Sequence, residues 1–268
     1  MHSIMRGRVV LLALAFVLAA CSTVPITGRK QLSIIPAGEM LSMSYAEYGE
    51  FLKTNKLSAN QQQTAMVKSV GGKIQRSVET YFKQKGLSDA LSGYKWEFNL
   101  VESEDVNAWC MPGGKVVVYT GILPVTKNET GLAVVMGHEI AHAVAEHGNE
   151  RMSQGLLAQL GGMALSEALS KESEKTRALW STAYGLGAQV GVLLPFSRTQ
   201  ESEADHLGLV FMAMAGYDPK EATLFWQRMS AKSGGGAPPE FLSTHPSDET
   251  RMANLQRLVP EAMQYYKT

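Results

Sequence analysis

The hydrophobic positions of this 268-residue chain follow different rhythms in different stretches, and the rhythms predict a mostly helical α+β fold. Between residues 43 and 82, Val67, Val70, Ile74 and Val78 recur every three or four positions, the spacing of one buried helix face, although Gly71 and Gly72 interrupt it. In "YKWEFNLV" (94–101), Trp96, Phe98 and Leu100 alternate with polar residues, as in a half-buried strand, and "KVVVYTG" (115–121) is a β-branched run bounded by glycine. The turn residues "MPGG" precede it, so a small sheet is expected here, with "VNAW" (106–109) beside it.

Residues 129–148 read as an apolar helix, with Gly148 as the residue that ends it. Residues 153–194 hold two arms rich in Gly, Ala, Leu and Met, separated by charges from Lys171 to Arg177. They predict a helical hairpin that serves as a lid or wall, because neither arm sustains the roughly 18 apolar residues of a membrane span. A further helix runs from a cap at Ser197 or Thr199, through Leu209 and Met212, to a stop at Gly216 with Pro219 behind it. "SGGGAPPE" is a loop, and Ser247 is placed to cap a last helix whose first turn carries Asp248 and Glu249.

The first twenty residues differ from the rest. Arg6 and Arg8 precede an apolar run from Val9 to Ala20 that is too short to span a bilayer, which is the pattern of a signal peptide. It ends in "LAAC", which resembles the lipobox of bacterial lipoproteins. That resemblance makes Cys21 the lipidated N-terminus, residues 21–44 a tether into a domain at 45–268, and Ser22 an outer-membrane sorting signal. The expected location is therefore the periplasmic face of a bacterial envelope, held to the membrane through lipid.

Charge and cysteine content narrow the chemistry. Lysine and arginine (25) balance aspartate and glutamate (25), so no net field draws the chain to nucleic acid. With two cysteines and one of them acylated, no disulfide framework or cysteine-rich zinc knuckle is available, and a metal must rely on His, Asp and Glu.

Such residues stand in the apolar helix. "HEIAH" puts His138 and His142 four residues apart, on one helical face, where both imidazoles can meet one ion, and Glu139 beside them can reach a water. A motif of this kind arises by chance in about one chain in a hundred of this length, so a third ligand has to decide. The metzincin continuation fails, because Ala145 and Gly148 occupy the positions of its glycine and third histidine. His147 reads better as a solvated residue near a helix end. The other solution draws a glutamate from a later helix: "ESEAD" offers Glu201 as ligand with Asp205 one turn on to orient a ligating histidine, and Glu203 faces away from Asp205. Taken alone the stretch would be an acidic surface; coupled to the histidine pair it is a candidate site. Zinc suits these ligands, as would manganese or cobalt.

Four ordered motifs, "VNAWCMPGGKVVVYTGIL", "VVMGHEIAHAVAEHG", "SRTQESEADHLG" and "STHPSDETR", resemble a family of gluzincin metallopeptidases. The family includes the CAAX prenyl protease, HtpX, mitochondrial Oma and periplasmic BepA, and the lipobox makes this chain most similar to lipoprotein members such as LoiP. The resemblance covers roughly residues 45–260 and implies a zincin-like domain with its small sheet packed beside the HExxH helix. It also implies one zinc ion on His138, His142 and Glu201, with Glu139 as general base and Asp205 behind the ligands. Asn107 and Ala108 become substrate-contact candidates on a strand edge. His245 either approaches the metal or stabilises an oxyanion, or is merely a turn residue before Pro246, while Arg251 anchors its loop. Two functions follow as expectations: an endopeptidase acting on unfolded or misassembled envelope proteins, or a zinc-binding chaperone for outer-membrane protein assembly whose site His245 latches shut.

Overall fold

The computed structural model describes residues 21–24, 27–189, 194–232, 241–242, 245 and 249–266. The signal peptide expected at residues 1–20 and the cap expected at Ser247 lie outside the described residues. In chain order the elements are β1 (Cys21–Thr23), β2 (Lys30–Leu32), α1 (Ala37–Thr54), α2 (Gln61–Gln84), β3 (Glu97–Val101), β4 (Ala108–Met111) and β5 (Lys115–Tyr119). There follow α3 (Leu123–Thr126), α4 (Glu129–Val144), α5 (His147–Ala168), α6 (Glu174–Ala188), α7 (Leu194–Met214), α8 (Glu221–Ala231) and α9 (Glu249–Ala262). Contacts divide the chain into two compact units, one of Gly38–Ala145 with Arg198–Thr268 and the other of Met1–Ala37 with Glu146–Ser197.

The first unit is built around α4. Every residue of this helix from Gly131 to Val144 is buried, as expected of a helix apolar on all sides. Asn128 starts it, its side chain accepting from the backbone N–H of Gly131 at 3.0 Å. Helix α2 packs on α4 and buries the predicted stripe of Val67, Val70, Ile74 and Val78. Gly71 interrupts that stripe because a side chain there would stand 2.3 Å from the Phe98 ring, so the glycine lets α2 lie against β3.

The predicted sheet is present, in the order β3-β5-β4, with β3 parallel and β4 antiparallel to β5. Trp109 turns towards α1, where its ring meets Phe51 edge-on at 4.8 Å and Tyr48 at 6.2 Å. The opposite face of β4 packs on α4. Period-two alternation thus gives Trp109 and Met111 to a hydrophobic cluster with Tyr48, and leaves Ala108 and Cys110 for the HExxH side.

In the second unit, α5 and α6 pack together, with the Tyr184 hydroxyl donating to the Ala158 carbonyl at 2.9 Å. Within the segment read as a tether, β1 and β2 pair antiparallel and β2 packs on α5, where Arg29 grips Glu150 through two bonds of 2.8 and 2.7 Å. Asn149 donates to the Ser33 hydroxyl and the Ile35 carbonyl, and Ile34 N–H to Ser153.

Three local expectations fail. The helix of HExxH stops at Val144, and the turn expected at Gly148 is made by Glu146, a non-glycine residue held at φ 59°; Gly148 lies inside α5. His147, expected in solvent, is fully buried at the first position of α5. Helix α7 begins at Leu194, so Ser197 and Thr199 stand within it and not at its start. Each outcome depends on packing that pattern alone does not carry.

Candidate metal centre

All the side chains of the candidate centre belong to the unit built on α4, and α7 reaches them through a close crossing. A side-chain carbon at Gly208 would lie 2.9 Å from the His138 backbone nitrogen, and one at Gly137 would lie 3.0 Å from the Gly208 carbonyl oxygen. Two glycines facing each other thus let α4 and α7 touch at the backbone, one turn from Asp205 and two from Glu201.

The crossing brings the predicted ligands together. His142 Nε2 lies 3.1 Å from His138 Nε2, while Glu201 offers Oε2 3.3 Å from His138 Nε2 and Oε1 3.2 Å from His142 Nε2. Three donors on a tetrahedral zinc at about 2.0–2.1 Å stand roughly 3.3 Å apart, so these separations fit that ion. Asp205 Oδ1 sits 3.0 Å from His138 Nδ1; with that nitrogen donating to the carboxylate, Nε2 keeps its lone pair for the centre.

His245 joins them. Its Nδ1 is 3.0 Å from both Glu201 oxygens and 3.1 Å from His138 Nε2, its Nε2 is 3.4 Å from Glu139 Oε1, and its ring tilts against Phe241. Ligand atoms of His138, His142, Glu201 and His245 all fall within 4.8 Å of one another, and all four residues are buried. The reading of His245 as a mere turn residue is thereby set aside. Glu203 is buried too, but it is not among the side chains of this cluster.

The electrostatics also ask for a cation. Burial pushes the Glu201 carboxyl up, but hydrogen bonds with His138, His142 and His245 outweigh it and hold it well below the usual carboxylate range. Burial raises the Asp205 carboxyl likewise, and the Arg251 guanidinium and His138 more than reverse that. For His138, burial opposes charge, yet Asp205 and Glu201 lift its pKa to about 9. The field that favours a proton on this imidazole favours a metal ion as well. Glu201 and Asp205 are both held ionised against the single guanidinium of Arg251, so a further positive charge is favoured between them and the histidines.

The sequence reading missed the far side of the centre. Arg251 forks onto Asp205 through Nε (2.9 Å) and Nη2 (2.7 Å), and its Nη1 donates to Glu201 Oε2 at 3.1 Å. Its guanidinium carbon stands 3.6 Å from the centre of the Trp226 ring. The arginine was visible in "HPSDETR" only as a loop anchor, and nothing in the local sequence marks Trp226.

Asn107 and Ala108 lie at the start of the edge strand and are used differently from each other. Tyr119 N–H donates to the Asn107 carbonyl at 3.1 Å, so Asn107 spends its backbone on β5. With Ala108 opposite Val118 and Cys110 opposite Val116, the alternation of an antiparallel ladder turns the backbone groups of Ala108 and Cys110 to the open edge. The Asn107 side chain already occupies one of them, accepting from Ala108 N–H at 2.9 Å.

A helix carrying HExxH, a glutamate from a crossing helix, and a three-stranded sheet packed beside them define a zincin-like metallopeptidase domain with a site for one zinc ion. Comparison with known families is more specific: residues 69–259 match peptidase family M48, and the chain belongs to that family. Among curated relatives it is similar to "Metalloendopeptidase OMA1, mitochondrial" of Bos taurus, 34% identical over 269 residues that cover 96% of this chain and 50% of the relative. "Mitochondrial metalloendopeptidase OMA1" of Schizosaccharomyces pombe is 36% identical over 190 residues, 70% of this chain and 53% of the relative. "Beta-barrel assembly-enhancing protease" of Escherichia coli is 29% identical over 164 residues, 59% of this chain and 33% of the relative. The chain thus spans about half the length, or less, of these relatives.

Proposed function

We propose that the chain is a zinc endopeptidase, anchored through a lipid on Cys21, that hydrolyses peptide bonds in unfolded or misassembled proteins of a bacterial envelope. The observation that carries the catalytic part is the convergence of His138, His142 and Glu201 with donor separations of 3.1 to 3.3 Å, backed by Asp205 on His138. The anchor and the location rest on the lipobox-like "LAAC" and the preceding apolar run. No helix among the described residues is long and apolar enough to cross a membrane.

In this mechanism His138, His142 and Glu201 hold the ion. Zinc, when bound, supplies Lewis acidity that polarises the scissile carbonyl and makes water a better nucleophile near neutral pH. Glu139, buried beside the histidines, takes the proton of the attacking water and returns it to the leaving amine. The substrate adds as a strand to the open edge of β4, meeting the outward backbone groups of Ala108 and Cys110. Asn107, through the bond from Ala108 N–H to its side chain, guards that edge until a peptide displaces it. An extended backbone is what unfolded chains offer, which supports them as the substrate class.

His245 supports a second reading, a zinc-binding chaperone or assembly factor for outer-membrane proteins. Its Nδ1 stands close enough to His138 and Glu201 to complete a fourth ligand position and keep substrate out. One relative is named for β-barrel assembly, in keeping with a partner in the assembly machinery.

The test is digestion of casein, a disordered substrate, by the purified protein and by Glu139→Gln, with bound zinc measured in both. Cleavage by the wild type alone, with zinc in both, supports the endopeptidase. Zinc in both with cleavage by neither moves the latched reading forward.

A further inference from the structure

We propose that Arg251 is a positioning residue of the metal centre, a guanidinium clamp that fixes the ligand Glu201 and the ligand-orienting Asp205 in one geometry against the Trp226 ring. The inference rests on the assignment of His138, His142 and Glu201 as the zinc ligands.

Glu201 and Asp205 are successive turns of α7, so their carboxylates share one helix face but rotate independently. Arg251 arrives from the first turns of α9, a separate element. Its planar fork meets both oxygens of Asp205, at 2.9 and 2.7 Å, and its remaining terminal nitrogen meets Glu201 Oε2 at 3.1 Å. One rigid group therefore sets the angle between the two carboxylates. The Asp205 oxygen that accepts from Nη2 is the one that faces His138 Nδ1 at 3.0 Å, so the clamp extends through Asp205 to the imidazole. Nη2 itself stands 3.4 Å from both ring nitrogens of His138, so the clamp also touches the imidazole directly.

The guanidinium is fixed in turn. Trp226, almost fully buried in α8, stacks under it at 3.6 Å, and the same indole meets the His138 ring edge-on at 5.9 Å. Phe241 stacks on the other part of this aromatic wall, 5.5 Å from Trp226. A lysine could supply the charge, but its ammonium is a compact point charge without the planar fork that meets both Asp205 oxygens, reaches Glu201 and stacks on the indole together. A residue that only anchored its loop would need none of this bidentate geometry.

The chemistry of the clamp is a trade between charge and position. Contact with a cation weakens Glu201 as a donor, while loss of the contact lets its oxygens rotate away from the two imidazoles. Outer contacts of this kind carry about 10–100-fold in metal affinity. The geometry assigns Arg251 to this role because its one planar guanidinium donates to both carboxylates at once from outside the ligand set.

The experiment measures zinc affinity by competition with a chromophoric chelator, together with the melting temperature of the metal-free protein, for wild type, Arg251→Lys, Asp205→Asn, the double variant and Glu201→Gln. The clamp predicts that Arg251→Lys binds zinc about 10–100-fold more weakly, and that the loss is less than additive with Asp205→Asn because both changes cut the same link. Wild-type affinity in folded Arg251→Lys, or full additivity, overturns the clamp. Glu201→Gln separates this outcome from failure of the ligand assignment: unchanged affinity there overturns the assignment and the clamp with it. If Arg251→Lys does not fold, Trp226→Leu keeps the guanidinium and removes its stacking surface. A several-fold loss of zinc affinity in folded Trp226→Leu then supports the clamp, and an unchanged affinity overturns it.

Discussion

Gly208 faces the backbone nitrogen of His138 so closely that a side-chain carbon would stand 2.9 Å from it, against a neighbour that is backbone and cannot swing aside. The contact sets the distance between the helix that carries the histidines and the helix that carries Glu201. Gly208→Val is expected to cost about 1–3 kcal/mol of stability through overpacking and to loosen zinc binding by separating the donors. Chemical denaturation with a parallel zinc titration checks it, and wild-type affinity in the folded variant would remove the crossing from the account.

His245→Ala is expected to raise cleavage of an unfolded substrate while zinc remains bound, because the imidazole now stands 3.0 Å from Glu201 and 3.1 Å from His138, where it competes with substrate. Initial rates on casein at saturating zinc read this directly. A fall of about 10²-fold in kcat would instead assign His245 to oxyanion stabilisation.

Cys110→Pro removes one N–H from the open edge of β4, where proline is tolerated because no ladder bond is lost. The substitution should lower kcat/KM for extended peptides about tenfold, the worth of one hydrogen bond, and leave zinc content unchanged. Equal kcat/KM in the variant would mean that substrate does not pair with this edge.

In the other unit, Arg29→Met removes a guanidinium held by two bonds to Glu150, whose side chain is fully buried while Arg29 is 20% exposed. Removing this partner from a buried carboxylate is destabilising, which should loosen β1 and β2 from α5. Limited proteolysis then cuts near residues 27–36 in the variant well before the wild type.

The contrast between His142 and Arg251 shows what the sequence could reveal. His142 was legible because its partner His138 is four residues away on the same helix, and helix geometry converts that spacing into proximity. Glu201 and Asp205 were legible one step further, since they repeat the same spacing and complete the chemistry that the histidines begin. Arg251, Trp226 and the Gly137–Gly208 crossing were not, because each acts through a contact between elements far apart in the chain. The same holds for His147, whose burial is tertiary, and for Glu146, which takes the left-handed turn although the residue type gives no sign of it. In the sheet, alternation placed the strands correctly, but which backbone groups of β4 face outward depended on its register with β5.

The most direct test of the account is anomalous diffraction at the zinc absorption edge from crystals of the zinc-loaded protein. The account predicts one full-occupancy ion within about 2.0–2.1 Å of His138 Nε2, His142 Nε2 and a Glu201 oxygen, with Asp205 still on His138 Nδ1. An ion held elsewhere, or one ligated without Glu201, would contradict it.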